Sequence, residues 1–433
     1  MMSRNANLIG VGVAAFLSAF ALTAGLVPLT IAICSKRGWV AKPRSDRWHR
    51  TAPSLFGGVP IWITCVGLST VFLPTSNHLV WKLIGTSTLI FLLGLVDDVR
   101  HLRPRSKLVV QIVAAGLIVG LGVVYPLHQN TTVNIVVSIL WIVGITNAFN
   151  LLDNMDGLAA GVALISALYL ASFYASSGSR ENAILVILIA GAAAGFLLFN
   201  FNPASIFIGD SGSLFIGFLL GATSLLEVTH VSGVPAFAFA PVVVLAIPIF
   251  DTFFVSVTRR LRGQALSQGG TDHSSHRLVH LGLNERSAVL LLCVLSVGSG
   301  VVALTVRHVL YPHAIGLIGF WFLFLLLFGI HLFRSNPTVA TEFGRGASSL
   351  VRKLLVRDAL VFLLDPVALS FSYYLAYFLR FRTSVPQGDM VLFLRSWPIL
   401  LAVKFICVWM CRVYKHSWWR GCTGDFIGWE RLC

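Results

Sequence analysis

An all-α polytopic membrane protein is the fold class the sequence predicts, and three observations carry it. Of 433 residues, 56% are hydrophobic and only 11% are charged, far from the roughly quarter-charged make-up of soluble domains. Apolar runs of membrane-crossing length recur along most of the chain. The basic residues gather in a subset of the connections between those runs, as topology requires.

Taken in order, the first run covers 8–34. It is too long for a signal-peptide core and lacks a polar cleavage segment, so it reads as a retained first helix. Further spans are predicted at 56–74, 79–96, 108–125, 133–149, 158–176, 183–200, 211–228, 235–256, 287–306 and 313–333. The third and fifth are short, and Gly212 and Gly217 soften the eighth. A polar, cytoplasmic linker follows at 334–357, then two more runs, 359–379 and 396–411, within 358–433. The expected organisation is about eleven transmembrane helices in a first domain, 1–333, and about two in a C-terminal extension.

Charge orients the spans. With the N-terminus outside, the connections 35–55, 97–107, 257–286, 334–357 and 412–433 face the cytoplasm and hold 6, 4, 5, 5 and 4 of the 32 Lys/Arg. The positive-inside rule favours that orientation. It places Asp97, Asp98, Asp153, Asp156, Asp210 and Asp272 on one face. The formal charge of +15 is then topological bias plus attraction to anionic headgroups, and no nucleic-acid partner is expected. The seven cysteines are scattered and form neither a disulfide framework nor a zinc spacing.

Polar residues concentrate at the ends of the apolar runs. Asp97-Asp98 closes the third, with Arg100, Arg103, Arg105 and Lys107 after it; adjacent carboxylates beside cations suit a phosphate bridged by Mg²⁺, although a solvated helix end with local ion pairs fits as well. Asn147, Asn150 and Asn154 fall at helical spacing on one face of span five, with Asp153, Asp156 and a helix-ending Gly157. Phe207-Ile-Gly-Asp210-Ser-Gly-Ser213 combines small residues with one acid, either for close approach of a ligand or as an ordinary helix cap. A loop of about thirty residues after span nine holds Arg259, Arg260, Arg262 and Asp272-His273-Ser-Ser-His276-Arg277. It is suited to phosphate or sugar hydroxyls more than to zinc, because a third ligand and a His-Glu-x-x-His pattern are both lacking. No P-loop, dinucleotide fingerprint or nucleophile elbow is present, which leaves metal-assisted phosphoryl chemistry at a membrane surface.

At these motifs the chain resembles the polyprenyl-phosphate N-acetylhexosamine-1-phosphate transferases, the bacterial glycosyl transferase family four. The likeness runs over about residues 8–333 and includes Lys42-Pro43 to His49 and Pro53, Gly57-Gly58, Asp97-Asp98 with Lys107 and Gln111, Asn147–Gly157, Phe207–Ser213 and Asp272–Leu278. It implies transfer of a sugar-1-phosphate from a UDP-sugar to polyprenyl (undecaprenyl) phosphate with release of UMP, the initiating step of a cell-envelope polysaccharide. It also implies the bacterial inner membrane, a cytoplasmic active site and Mg²⁺ as cofactor, with Mn²⁺ as a substitute.

Residue by residue, the resemblance makes Asp210 the main metal ligand, and gives Asp97 and Asp98 lipid-phosphate activation and support of the metal, all three counted as catalytic. Asn147, Asn150, Asp153 and Asp156 would line the nucleotide-diphosphate site and Phe207 would stack on uracil. Lys107 would hold phosphate, and His273, His276 and Arg277 would contact the sugar-phosphate. A homodimer is left open.

The chain departs from the family pattern at Ala41 (usually Asp), Asn154 (usually Gly) and Ser275 (usually His). The last bears on sugar identity and argues against the peptidoglycan branch. The stretch 358–433 resembles the membrane anchor of nucleotide-sugar dehydratases, and no dehydratase activity is expected of it. Two rival classes remain at this point, a transporter and a non-catalytic anchor of a glycan-assembly complex. A transporter predicts ionisable groups near the midplane and inverted repeats, and neither is evident in the sequence.

Overall fold

A computed structural model of the chain describes residues 2–39, 53–126, 128–229, 239–261, 263–264, 270, 272–307 and 311–334, with scattered residues between 369 and 403. The motif residues from Ala41 to His49 and most of the tail lie outside the described residues. The chain divides into two compact units, Met1–Leu323 and Phe324–Cys433.

The described part of the chain up to residue 334 is helical: α1 (Met2–Arg37), α2 (Gly58–Phe72), α3 (His78–Arg100), α4 (Pro104–Gly120), α5 (Thr131–Leu152), α6 (Leu158–Ser177), α7 (Arg180–Asn200), α8 (Gly209–Thr229), α9 (Ala240–Val244), α10 (Ala246–Leu261), α11 (Ser274–His280), α12 (Glu285–Val306) and α13 (Tyr311–Arg334). Eight of these, α1, α3, α5 to α8, α12 and α13, are long and apolar enough to cross a membrane, while α2 is shorter. Among the described residues, extended backbone pairs at one point only, an isolated parallel bridge between Ser54 and Ile206.

The centre of the first unit is α8. In its apolar window 89% of residues are buried, against 17% for α1. The glycines that soften this run in the sequence do not interrupt the helix. A Cβ on Gly217 would meet Thr146 and Phe149 of α5, and one on Gly221 would meet Ile145 of the same helix. Between apolar helices in a bilayer, close backbone approach is what holds a pair together, and small residues four apart permit it. The pairing of α7 with α1 repeats the device, with Gly191 against the Phe16 carbonyl and Gly195 against that of Phe20.

Three further expectations are corrected. The ninth span is two helices: α9 ends at Val244, capped by Leu245, and α10 restarts with Pro248 in its first turn, where the proline ring excludes the carbonyl four residues back and offers no N–H. Gly157 does not end α5, which stops at Leu152; Gly157, at φ 79°, instead precedes α6, and Asn154 lies past the end of α5. The long loop after span nine contains a short helix, α11.

In the second unit, the described pieces of both predicted tail spans are helical. Phe393 lies among Tyr373, Tyr374 and Tyr377, and the Trp397 indole N–H donates to Ser370 Oγ at 2.8 Å.

Candidate active site

The ends of four helices bring one polar cluster together. Asp97 and Asp98 sit in the last turn of α3, which stops because His101 takes up a left-handed conformation at φ 50°. Arg103 and Pro104 then start α4, since a proline at the first helical position forfeits no hydrogen bond. One turn on, Lys107 reaches back: its Nζ donates to Asp97 Oδ2 at 2.6 Å and to Asp210 Oδ2 at 2.9 Å. The other Asp97 oxygen accepts the Leu102 N–H at 2.5 Å. Asn150, at the end of α5, donates from Nδ2 to Asp210 Oδ1 at 2.9 Å and to Ser213 Oγ at 3.0 Å.

Asp98 does something different from its neighbour. Its Oδ1 accepts the Asp210 N–H at 2.8 Å and its Oδ2 the Ser211 N–H at 3.1 Å. It therefore caps α8 from another helix, supplying the anion that the positive end of a helix favours. That arrangement leaves the Asp210 side chain available to face Lys107 and Asn150. Glycines make the approach feasible. A Cβ on Gly94 of α3 would collide with the Asp210 and Ser211 backbone, and one on Gly58 with the backbone of Gly212. Gly209, at φ 71°, has its face against the Asp98 carboxylate.

One turn deeper, the Asn147 amide donates to Gln111 Oε1 at 2.6 Å. Gln111 is 1% exposed and its Nε2 donor has no hydrogen-bond partner. Burial alone would lower the Lys107 pKa, but the Asp210 and Asp97 carboxylates outweigh it and hold the ammonium above the ordinary lysine value. Lys107 is therefore charged at any physiological pH.

A second cluster surrounds α11. His273 precedes the helix, and its Nδ1 lies 2.8 Å from Asp251 Oδ2. The Ser274 N–H and Oγ–H donate to Asp251 Oδ1 at 2.8 and 2.6 Å. The His276 ring stands 6.4 Å from that of His273, and burial pushes its pKa down to about 4. Arg277 is buried, donates from Nε to the Asp272 carbonyl at 3.3 Å and lies 5.3 Å from the Phe254 ring centre. The entry of α11 is tied to the α5–α6 connection, because Ser275 Oγ donates to Asn154 Oδ1 at 2.5 Å.

Other residues singled out in the sequence make contacts of their own. Asp156 is buried and accepts the Ala204 N–H at 2.9 Å, tying the connection before α8 to the start of α6. Asp153 caps the end of α5, its N–H donating to the Phe149 carbonyl. Phe207 is only 8% exposed, and its backbone pairs with Ser54 and Gly57. Asp251 escaped the sequence reading, because it lies inside the apolar run 235–256 rather than at its end. A lone acid within a span is itself a signal of function.

Among the described residues, no three His, Cys, Asp or Glu side chains group as a metal site. The cluster nevertheless fits a hard divalent cation. Asp97 Oδ2 and Asp210 Oδ2 already converge on one cationic atom, Lys107 Nζ. Mg²⁺ at phosphate sites commonly takes only one or two protein carboxylates, the rest of its shell being water and phosphate oxygens. Asp98 has both oxygens engaged by backbone amides.

Residues 80–227 match the model of glycosyl transferase family 4. A probable undecaprenyl-phosphate N-acetylglucosaminyl 1-phosphate transferase of Bacillus subtilis is 33% identical over 301 residues, covering 65% of this chain and 80% of that protein. A decaprenyl-phosphate N-acetylglucosaminephosphotransferase of Mycolicibacterium smegmatis is 32% identical over 294 residues, 59% of this chain and 72% of that protein. A phospho-N-acetylmuramoyl-pentapeptide-transferase of Lacticaseibacillus paracasei is 33% identical over 238 residues, 48% of this chain and 73% of that protein.

Proposed function

Since the chain belongs to glycosyl transferase family 4, we propose that it transfers a hexosamine-1-phosphate from a UDP-sugar to polyprenyl phosphate at a bacterial membrane. One observation carries the mechanism: Asp97, Lys107, Asn150 and Asp210 come from four helices and share one hydrogen-bonded cluster. A phosphate oxygen of the lipid attacks the phosphorus that bears the sugar. The bond from that phosphorus to the bridging oxygen breaks, and UMP leaves with that oxygen. One phosphoanhydride is lost and one is formed, so the exchange needs no separate fuel.

Each residue then has a task. Asp210 and Asp97 offer the oxygens for Mg²⁺, with Mn²⁺ as a substitute; when bound, the ion neutralises the diphosphate. Lys107 adds a fixed positive charge for the phosphoryl oxygens. Asn150 holds the Asp210 carboxylate in place, and Asp98 works indirectly by fixing the start of α8. The buried Gln111 Nε2, one turn below Lys107, offers a donor to a substrate oxygen. Preorganised charge of this kind is the expected main source of rate. The cytoplasmic site and outside N-terminus follow from the basic connections, and helix-end acids engaged with one another favour an enzyme over a transporter.

The test is release of UMP from a panel of UDP-sugars in detergent with undecaprenyl phosphate, with and without Mg²⁺, for the native chain and Asp210→Asn. Release that needs lipid and metal, and is lost in the variant, supports the reading. A folded protein that releases UMP from no donor would overturn it.

A further inference from the structure

The Asp251 carboxylate is 1% exposed, and the entry of α11 supplies three hydrogen-bonding contacts to it. Oδ2 takes His273 Nδ1, and Oδ1 takes both donors of Ser274. A carboxylate buried this deeply is tolerated only if fully hydrogen-bonded, so α10 and the entry of α11 form one unit. An ionised carboxylate can only accept, so the proton between it and His273 belongs to Nδ1. In the neutral ring Nε2 then carries the lone pair.

We propose that Asp251 is a positioning residue: it fixes the His273 tautomer, so that Nε2 is presented as a hydrogen-bond acceptor to a hydroxyl or acetamido N–H of the donor sugar. The proposal rests on the transferase reading above and on His273 facing the sugar-phosphate.

The two oxygens of Asp251 make an unusually clean test available. In Asp251→Asn, an amide oxygen at Oδ1 keeps both Ser274 bonds. The amide NH₂ then faces His273 Nδ1 and turns that atom into an acceptor, so the proton moves to Nε2. The protein should stay folded with its sugar-facing atom inverted from acceptor to donor. Loss of an outer partner that orients a functional histidine typically costs about 10- to 100-fold in activity. The expected loss is of that size, appears in kcat/KM for the UDP-sugar, and leaves KM for undecaprenyl phosphate unchanged.

Histidine ¹⁵N chemical shifts of the full chain in detergent, with the His273 signal assigned by its absence in His273→Ala, report the tautomer directly. The native chain should show Nδ1–H and the variant Nε2–H. In a His273→Ala background, Asp251→Asn should add no further loss. An Nε2–H tautomer in the native chain overturns the proposal even if the variant does not fold. An unchanged tautomer in a folded variant overturns it, as does a full additional loss in the His273→Ala background. If the native chain turns over no donor, the transferase reading fails, and the tautomer arm alone decides whether Asp251 sets the ring.

Discussion

Two polar regions of the first unit solve the same problem in opposite ways. In the cluster at the ends of α3, α4, α5 and α8, two carboxylates share one lysine, and the acids lie where apolar runs stop. Around α11 the arrangement is reversed: one aspartate inside an apolar run gathers a histidine and a serine. The first region concentrates charge that can be redirected to a phosphate and a cation. The second spends its carboxylate on holding a histidine ring and a short helix in register. A chemical group for the diphosphate and a shaped wall for the sugar are the division of labour this contrast suggests.

The comparison breaks most sharply at Lys107. Lys107→Met leaves Asp97 and Asp210 facing each other without a cation, and in a partly buried ion pair removing one partner is worse than removing both. Turnover should fall by about 10²–10³-fold, the size seen when one preorganised electrostatic group is lost. Lys107→Arg should retain part of it. UMP release under saturating Mg²⁺ separates the two variants, and equal activity of Lys107→Met and the native chain would remove Lys107 from the mechanism.

Asp98→Ala tests whether adjacent acids have separate tasks. The α8 cap is lost, at about 1–2 kcal/mol for a cap residue, so the midpoint of thermal unfolding should drop, and turnover should fall with Mg²⁺ affinity little changed. Mg²⁺ titration of activity makes the distinction. A large rise in the Mg²⁺ requirement would mean that Asp98 is a ligand after all.

Legibility in the sequence divides along the same line. The helical class follows from composition and recurring apolar runs, and Asp97, Lys107, Asn150 and Asp210 stand out in the sequence as polar residues at run ends, because burying a charge at mid-span is costly and the ends are where it can be kept. The fine assignments did not follow. Nothing in the spelling Asp97-Asp98 says that the first binds Lys107 while the second caps a distant helix; that depends on how closely Gly94 and Gly58 let α8 approach. Gly212 and Gly217 read as weakness in an isolated run because propensity was the only local measure, whereas helix contact decides their role. Asp251 was missed because the apolar residues around it hide it from any search of run ends.

The pH response should also differ between the regions. His276 is neutral in the fold, with its pKa pushed down to about 4, and ordinary once unfolded, near 6.5. The unfolded chain therefore binds the extra proton first. The stability that this group contributes is whole above about 6.5 and is lost progressively as pH falls toward 4. Urea midpoints measured between pH 7 and 4 should decline in the native chain and decline less in His276→Gln. Equal slopes would show that His276 does not carry the acid sensitivity of the α11 region.

The smallest expected effect falls on the link between the regions. Asn154 and Ser275 are two of the three places where the chain departs from the family pattern, and they bond to each other. Ser275→Ala leaves the Asn154 oxygen without this donor, and a single neutral hydrogen bond contributes about 1 kcal/mol. Stability should therefore fall only slightly. The ranking of UDP-sugars should move more than the rate with the best of them, because under the proposed function the bond joins the segment assigned to the nucleotide to the segment assigned to the sugar. Asn154→Gly with Ser275→His, which restores both family residues together, should be better tolerated than either change alone. Additive losses in that double variant would mean that the two positions vary independently, and that their contact has no part in choosing the donor.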